Sequence, residues 1–311
     1  MNIAYFDPLN RAWNRMTDIL FHPFDLAKWL VIGFAAWLAG LADGGGGGGR
    51  AFGVDPNDFP SRHNISQGLD EIGNQFLEHA LLLPFILTAG LLLLVFILAL
   101  VWVSSRAKFI FLDNVVQNRA AIVDPWSSYS AQGNSLFLWR LGFGVLVFLT
   151  LGVVLLLFIG PAAGFSIGGG FRGLSIAAMA LAGVLVLIIG LGASYVSLFL
   201  EAFIIPIMYK YRLSTTEAWR YFLPWLKSHS LQFVVYGPFV LLLFMVFAIV
   251  FAIACLLTCC VLALPYVGTV LMLPIIMTYR ILSLEFLAQF DPGFDLFADV
   301  VTDEVVDEII E

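Results

Sequence analysis

Glu201 is a carboxylate at the end of a long apolar run, shortly before Pro206. A charged side chain is costly within a bilayer, so a carboxylate kept there usually serves as a proton or substrate site, or pairs with a cation. The cations near the ends of other apolar runs are Arg106, Lys108 and Arg280. The sequence favours a structural ion pair for Glu201 and leaves a proton or substrate site as the alternative.

Aromatic and cationic side chains recur in the short polar segments between apolar runs. At headgroup depth the rings gain burial, and each cation gains about 1 kcal/mol from nearby anionic lipid. Six such residues, which we call the collar, are the predicted lipid-interface residues: Trp13, Arg15, Trp126, Arg220, Trp225 and Lys227. We expect the collar to lie on cytoplasmic amphipathic helices.

The spacing of apolar residues predicts which faces of two such helices are buried. The two stripes consist of Leu9, Trp13, Met16, Leu20 and Phe24, and of Ala218, Phe222 and Trp225. Two roles stay open for these helices. They would either anchor the protein and set its tilt and depth, or recognise and deform lipid.

Other residue types that could do chemistry lack the spacing that the chemistry needs. Cys255, Cys259 and Cys260 contain no Cys-x-x-Cys pair and are expected to pack within an apolar run. The six-glycine run lacks the Gly-Lys-Ser/Thr ending of a nucleotide loop, and His63 and His79 lack metal-ligand spacing. We therefore expect no enzyme activity, catalytic residue, cofactor or metal, and no nucleic-acid partner.

The composition requires a membrane around most of these residues. Hydrophobic residues make up 61% of the 311 positions and charged residues 12%, with a mean hydropathy of +0.96. Soluble domains carry about a quarter charged residues, so this chain cannot supply the polar shell of a large soluble core. The sequence predicts an all-α polytopic transmembrane helix bundle.

Six apolar runs approach the roughly 20 residues that a helix needs to cross hydrocarbon about 30 Å thick. They cover residues 27–42, 80–104, 136–160, 174–200, 231–261 and 262–284, within a single transmembrane domain over residues 1–290. Pro265 and Gly268 predict a tight turn near the start of the last run. The first run is short and contains Lys28, so a re-entrant or tilted helix is the alternative there.

Lys and Arg residues are distributed unevenly between the gaps that separate these runs. Twelve of the fifteen lie in alternate gaps or in the ends of the runs that border those gaps, and only Arg50, Arg62 and Arg172 lie in the others. Cytoplasmic loops carry an excess of Lys and Arg. The asymmetry predicts that both termini are cytoplasmic, in agreement with an even number of spans.

Two polar segments lie outside the predicted spans. Residues 43–79 combine the six-glycine run with acidic residues and predict a flexible extracytoplasmic loop. Residues 291–311, the tail, carry eight acidic residues and no basic one, with Phe294, Phe297 and Val301 on one helical face. This cytoplasmic tail would either stay disordered or dock its apolar face on a basic partner protein or on the collar.

A weak internal repeat relates the cytoplasmic segments. Arg119–Trp126 (RAAIVDPW) aligns with Arg212–Trp219 (RLSTTEAW), and Ala12–Arg15 gives a looser third copy. Each copy would be an amphipathic segment followed by two spans, and copies with an even number of spans share one orientation. The alignment predicts a threefold internal repeat, with chance similarity of apolar sequences as the alternative.

The segment Phe109–Leu141 (FIFLDNVVQNRAAIVDPWSSYSAQGNSLFLWRL) and the six-span plan resemble a family of uncharacterised bacterial membrane proteins. These are similar to the membrane region of some glycerophosphodiester phosphodiesterases. The resemblance implies a multi-pass protein of the bacterial inner (cytoplasmic) membrane. It transfers no catalytic residue, because those enzymes carry their chemistry in a separate soluble barrel domain.

These patterns favour a non-enzymatic membrane module that contacts lipid headgroups and partner proteins through the collar and the tail. The sparse intramembrane charge argues against pumps and proton-coupled carriers, which place ionisable residues at mid-membrane. A transporter of small solutes or lipids, with a cavity between repeated helical hairpins, is the alternative function.

Overall fold

The computed structural model describes residues 4–43, 83–162, 175–257 and 264–298, and these residues form helices and turns without a strand. The all-α prediction is therefore confirmed for this part of the chain. Apart from Asp43, the predicted loop 43–79 lies outside the described residues, as does the tail beyond Ala298.

The helices are numbered here in chain order. The first group consists of α1 Phe6–Phe21, α2 Leu26–Gly40, α3 Leu83–Val116, α4 Val123–Ser128 and α5 Ser130–Ala162. The second group consists of α6 Ser175–Phe199, α7 Ile205–Tyr211, α8 Thr215–Ser228, α9 Ser230–Leu257, α10 Pro265–Leu271 and α11 Leu273–Leu287. A π-helical turn, Leu200–Ile204, joins α6 to α7, and a 3-10 turn, Pro292–Phe294, follows α11.

Four apolar helical stretches are long enough to cross a membrane. They are Pro84–Val116, Ser130–Leu157, Ala180–Tyr211 and Ser230–Ile253, of 33, 28, 32 and 24 residues. Even the shortest measures about 36 Å at 1.5 Å per residue, more than the hydrocarbon thickness of about 30 Å. Large apolar side chains on them, such as Phe85, Leu156 and Leu242, are exposed, as contact with lipid tails requires. The chain is a multi-pass membrane protein.

The other two predicted spans correspond to shorter helices. Residues 27–42 form α2, whose 15 residues measure about 22 Å. Residues 262–284 divide at Met272 between α10 and α11, and residues 258–263 lie outside the described part of the chain. Residues 281–287 of α11 are all buried, so every face of that stretch contacts protein. The apolar character of this part of α11 thus reflects burial within the protein.

Helix α2 packs beside the C-terminal part of α3. Near the start of α2, Lys28 Nζ donates a hydrogen bond to Oδ1 of Asn118, just beyond α3. Near its end, the carbonyl of Ala39 accepts a hydrogen bond from Ser104 Oγ at 2.6 Å. The two helices are therefore antiparallel, and the C-terminal end of α2 reaches the level of Ser104.

Helix α10 approaches α2 closely at a glycine. A Cβ added at Gly33 would lie 2.8 Å from Cγ2 of Val270, so a larger residue would separate the helices. Trp29 Nε1 donates a hydrogen bond to the carbonyl of Val270 at 2.8 Å. This contact fixes α10 against the first half of α2.

The chain divides into two compact units. The first is drawn from Met1–Gly49, Leu100–Trp139 and Ser197–Glu311, and the second from Arg50–Ala99 and Arg140–Val196. In the second unit the described residues are apolar stretches of α3, α5 and α6, where Arg140 is the only charged residue. The first unit contains the polar networks described below.

The core of the first unit is aromatic. Phe203, in the π-helical turn, is fully buried. Its ring centroid lies 5.1–6.0 Å from those of Phe199, Phe222, Phe233, Tyr236 and Phe286. These rings come from α6, α8, α9 and α11, so one side chain holds four helices together.

Helix α1 packs on α11 by one face. Ala12, Met16, Ile19 and Leu20 are buried, whereas Trp13 is 48% exposed. The predicted stripe includes Met16 and Leu20, but the buried face is rotated from it toward Ala12 and Ile19. Contact with α11 determines which face of α1 is buried. The spacing of apolar residues within α1 could not predict that α11 would be its neighbour.

The two aligned segments of the predicted repeat share a local plan. Asn118, with φ of 50°, follows α3, and Arg212, with φ of 55°, follows α7. Left-handed residues of this kind commonly end helices. In both places a short helix, α4 or α8, then leads into a long one, α5 or α9. The threefold repeat itself stays a prediction.

Candidate functional site

Lys108 is the centre of an ionic network in the first unit. It lies on α3 with 8% of its side chain exposed, and its ammonium pairs with Asp43 Oδ2 at 2.5 Å and with Glu201 Oε1. Two carboxylates around one buried ammonium offset the cost of removing it from water. The Glu201 side chain is 47% exposed, so the network is open to the surroundings at that residue.

The backbone at Glu201 is π-helical. The N–H of Ile205 donates to the carbonyl of Leu200, five residues earlier. Arg280 Nη1, on α11, donates to the carbonyl of Glu201 at 2.6 Å, so the main chain and side chain of Glu201 each accept from a cation. Of the three cations that the sequence offers, Lys108 and Arg280 contact Glu201. The third, Arg106, binds other residues.

Asp43 and Lys108 meet at one depth. On sequence, Asp43 begins the outer loop and Lys108 follows span two on the cytoplasmic side. Their 2.5 Å contact is incompatible with opposite faces of a hydrocarbon core about 30 Å thick. If Lys108 is cytoplasmic, the contact favours the alternative of a re-entrant or tilted α2, and the extracytoplasmic position of the loop 43–79 stays a prediction.

A second polar cluster surrounds Asp113, which is 1% exposed on α3. Arg119 Nη2 lies 2.8 Å from Asp113 Oδ2, and the hydroxyl of Tyr209 donates to Oδ1 at 2.9 Å. The ring of Tyr129 stacks on Tyr209, with the guanidinium of Arg212 at 3.9 Å from its centroid. Burial raises the pKa of Tyr129 above its ordinary value. The cluster joins α3 and α7 to the junction between α4 and α5.

Arg15 of the collar contacts both α11 and the tail. Its Nη2 lies 3.2 Å from Glu285 Oε1, and Arg11 Nε lies 2.8 Å from the other oxygen of that carboxylate. The guanidinium carbon of Arg15 lies 3.9 Å from the ring centroid of Phe297. Arg15 is thus engaged by protein on two sides.

The first part of the tail is docked on the first unit. Phe294 is 2% exposed, and its ring lies 5.6 Å from Trp225 and 5.9 Å from Tyr221 of α8. Lys210 Nζ donates to the carbonyl of Asp295 at 2.7 Å. Of the two sequence alternatives for the tail, residues 291–298 therefore follow docking on the protein's own helices.

The collar residues do not form one cluster. Arg220 and Lys227 are exposed on α8, whereas Arg15 and Trp225 contact the docked tail. Trp126 lies on α4 and contacts a cation of α3. The structure brings two collar residues to one tail segment and leaves the others separate.

Asp43 and Asp113 are partners that sequence reasoning missed. Asp43 precedes the glycine run and reads as part of a loop. Asp113 and Asn114 interrupt an otherwise apolar stretch of Phe109–Val116 (FIFLDNVV), and this single charge within a helix was the signal that could have identified Asp113.

A family model covers most of the chain. The model, described as a family of unknown function (DUF7544), matches residues 3–296. The chain belongs to this family. No curated protein and no solved structure matches it. The matched region includes the ionic networks and the docked Phe294, and it ends before most of the acidic residues of the tail.

Proposed function

We propose that the chain is a non-enzymatic integral membrane module that contacts lipid headgroups and partner proteins, without a cofactor or metal. The location of charge carries the proposal. The described residues of the second unit contain one charged side chain, whereas the first unit gathers aromatic and charged residues. Several of its charges pair with one another, such as Lys108 with Glu201 and Arg15 with Glu285, as structural charges do.

The proposed topology has six membrane segments, four long and two short, with both termini in the cytoplasm of a bacterium. The Lys and Arg asymmetry supports this orientation. The likeness of Phe109–Leu141 to the membrane region of glycerophosphodiester phosphodiesterases supports the bacterial inner membrane. Export of a reporter fused near Arg220 would contradict the orientation.

The acidic end of the tail carries the protein contact in this proposal. Six acidic residues follow Ala298, just beyond the docked Phe297. Their charge repels anionic lipid and suits a basic protein surface. Residues 291–298, which precede these acids, contact the collar residues Arg15 and Trp225.

Truncation after Ala298 is expected to remove a bound partner protein while leaving membrane insertion and bound phospholipid unchanged. The described contacts of Phe294, Asp295 and Phe297 are all retained, so the melting temperature should change little. Native mass spectrometry of protein extracted with its surrounding lipid measures lipid and partner together. A matched control of full length, with the six acids changed to Asn or Gln, should match the truncation. A full chain that carries neither lipid nor partner contradicts the proposal.

Transport of a small solute or lipid is the second candidate function. Glu201 favours it, because this half-exposed carboxylate lies on a π-helical turn, a form often found at functional sites. A buried polar atom without a partner is a second feature that can mark a functional site. Within the described residues, the buried Nε of Arg280, whose Nη1 contacts the carbonyl of Glu201, has no hydrogen-bond partner.

Proteoliposomes loaded with a pH-sensitive dye test this candidate. If the chain transports protons, the wild-type protein should collapse a pH gradient faster than empty liposomes do. Glu201→Gln should abolish the difference, because the carboxylate that would carry the proton is lost. Glu285→Gln serves as the matched control. Equal rates for wild-type and empty liposomes would remove support for proton-coupled transport.

A further inference from the structure

Arg106 is held in the corner between two tryptophans of the first unit. Its guanidinium carbon lies 4.6 Å from the ring centroid of Trp102 and 5.1 Å from that of Trp126. The two indoles meet at 87°. Asn134 Oδ1 accepts hydrogen bonds from Arg106 Nε at 3.2 Å and from Trp102 Nε1 at 3.0 Å. Three side chains thus orient one cation.

Gly133 allows this arrangement. A Cβ at that position would lie 2.6 Å from Cγ of Arg106 and 3.2 Å from its Cα. A larger residue would displace the stem of Arg106 and separate α5 from α3. The cation is therefore built into the contact between these two helices.

The charge of Arg106 is left without an acid. Within the described residues Arg106 forms no ion pair, in contrast to Lys108 and Arg119 on and beside the same helix. Its Nε is turned to Asn134, and its two Nη groups make no hydrogen bond there. The planar guanidinium binds phosphate oxygens through two parallel hydrogen bonds. An oriented guanidinium with unused donors points to an anionic ligand.

The position of Arg106 along α3 indicates that the anion is a lipid headgroup. Residues 83–105 contain no charged residue and span about 34 Å, enough to fill hydrocarbon about 30 Å thick. Arg106 is the first charged residue after this stretch, at the depth where headgroups begin and tryptophans concentrate. Val123, one turn from Trp126, is 78% exposed, which suits contact with acyl chains.

We propose that Arg106, Trp102, Trp126 and Asn134 form a binding site for the phosphate of a phospholipid headgroup. The site rests on the proposed function, since it names one lipid contact of the module. The two Nη groups donate to phosphate oxygens, and the indoles provide apolar surface for the glycerol and upper acyl chains. Free inorganic phosphate shares the same chemistry, and the experiment separates the two.

Titration of phosphatidylglycerol into the detergent-solubilised full chain, with bound lipids counted by native mass spectrometry, tests the site. Arg106→Gln is expected to weaken the tightest lipid by roughly tenfold to hundredfold, the worth of charge-assisted hydrogen bonds. The lipid affinity of Arg106→Lys should lie between those of wild type and Arg106→Gln. Lysine keeps the charge but lacks the planar guanidinium that donates two parallel hydrogen bonds. Arg11→Gln, the same change where Glu285 already balances the charge, should leave the tightest lipid in place.

Equal retention by Arg106→Gln and wild type, or equal losses in Arg106→Gln and Arg11→Gln, would overturn the site while lipid contact elsewhere survives. No retained lipid in any variant, wild type included, would contradict the proposed function instead. If equimolar inorganic phosphate displaces the bound lipid, the site binds free phosphate and the phospholipid proposal is wrong. If circular dichroism shows Arg106→Gln to be unfolded, Asn134→Ala replaces it. That variant keeps the charge, and unchanged lipid affinity in it would likewise overturn the site.

Discussion

Lys108→Met is expected to destabilise the protein by about 3 kcal/mol. The change leaves Asp43 and Glu201 facing each other without their cation. Breaking a buried ion pair costs about 3–5 kcal/mol, and the lower end applies because both carboxylates are partly exposed. Thermal unfolding in detergent, followed by circular dichroism, measures the loss.

Two variants show whether charge is the cause. Lys108→Arg keeps the cation and should lose much less stability than Lys108→Met. Combining Lys108→Met with Glu201→Gln should recover part of the loss, since one of the two carboxylates that have lost Lys108 is removed. If Lys108→Met has the same melting temperature as the wild type, the network does not stabilise the fold.

Phe203→Ala is expected to destabilise the protein by about 3–5 kcal/mol, the cost of truncating a buried phenylalanine. The ring is fully buried among five others, so its removal leaves a cavity between four helices. The surrounding rings cannot all relax into that space, and the lost dispersion contacts are not replaced by lipid. The midpoint of denaturant unfolding in detergent reports the change.

Phe244→Ala is the matched control for this prediction. Phe244 lies on α9 and is 60% exposed, so its truncation leaves no cavity and should change stability little. Phe203→Leu should lose less stability than Phe203→Ala, because leucine fills part of the cavity. Equal effects of Phe203→Ala and Phe244→Ala would show that the aromatic core is not tightly packed.

Hydropathy was sufficient to locate the four long helices. It could not give their ends, because the predicted span 80–104 stops at the first charges whereas α3 continues to Val116. The extra turns carry Lys108 and Asp113, whose charges are balanced by partners distant in sequence. Hydropathy also cannot separate apolar residues that face lipid from those that face protein, and this is why α11 reads as a span.

The candidate site was predictable by residue type and not by pairing. Glu201 stood out because a carboxylate is rare at the end of an apolar run, and three cations were available to it. The choice of Lys108 and Arg280 depends on how α3 and α11 pack against the π-helical turn. The same packing turns Arg106 toward the tryptophans, and no local pattern records that direction.

The π-helical turn Leu200–Ile204 makes the position of Glu201 depend on chain length as well as on residue identity. An α-helix advances about 100° per residue, so deleting one residue in this turn would restore regular winding and rotate one flank against the other. Glu201 and Phe203 could not then both keep their neighbours. In an alignment of the family, a single-residue gap at this turn would therefore mark members whose ionic network or aromatic core has been rebuilt.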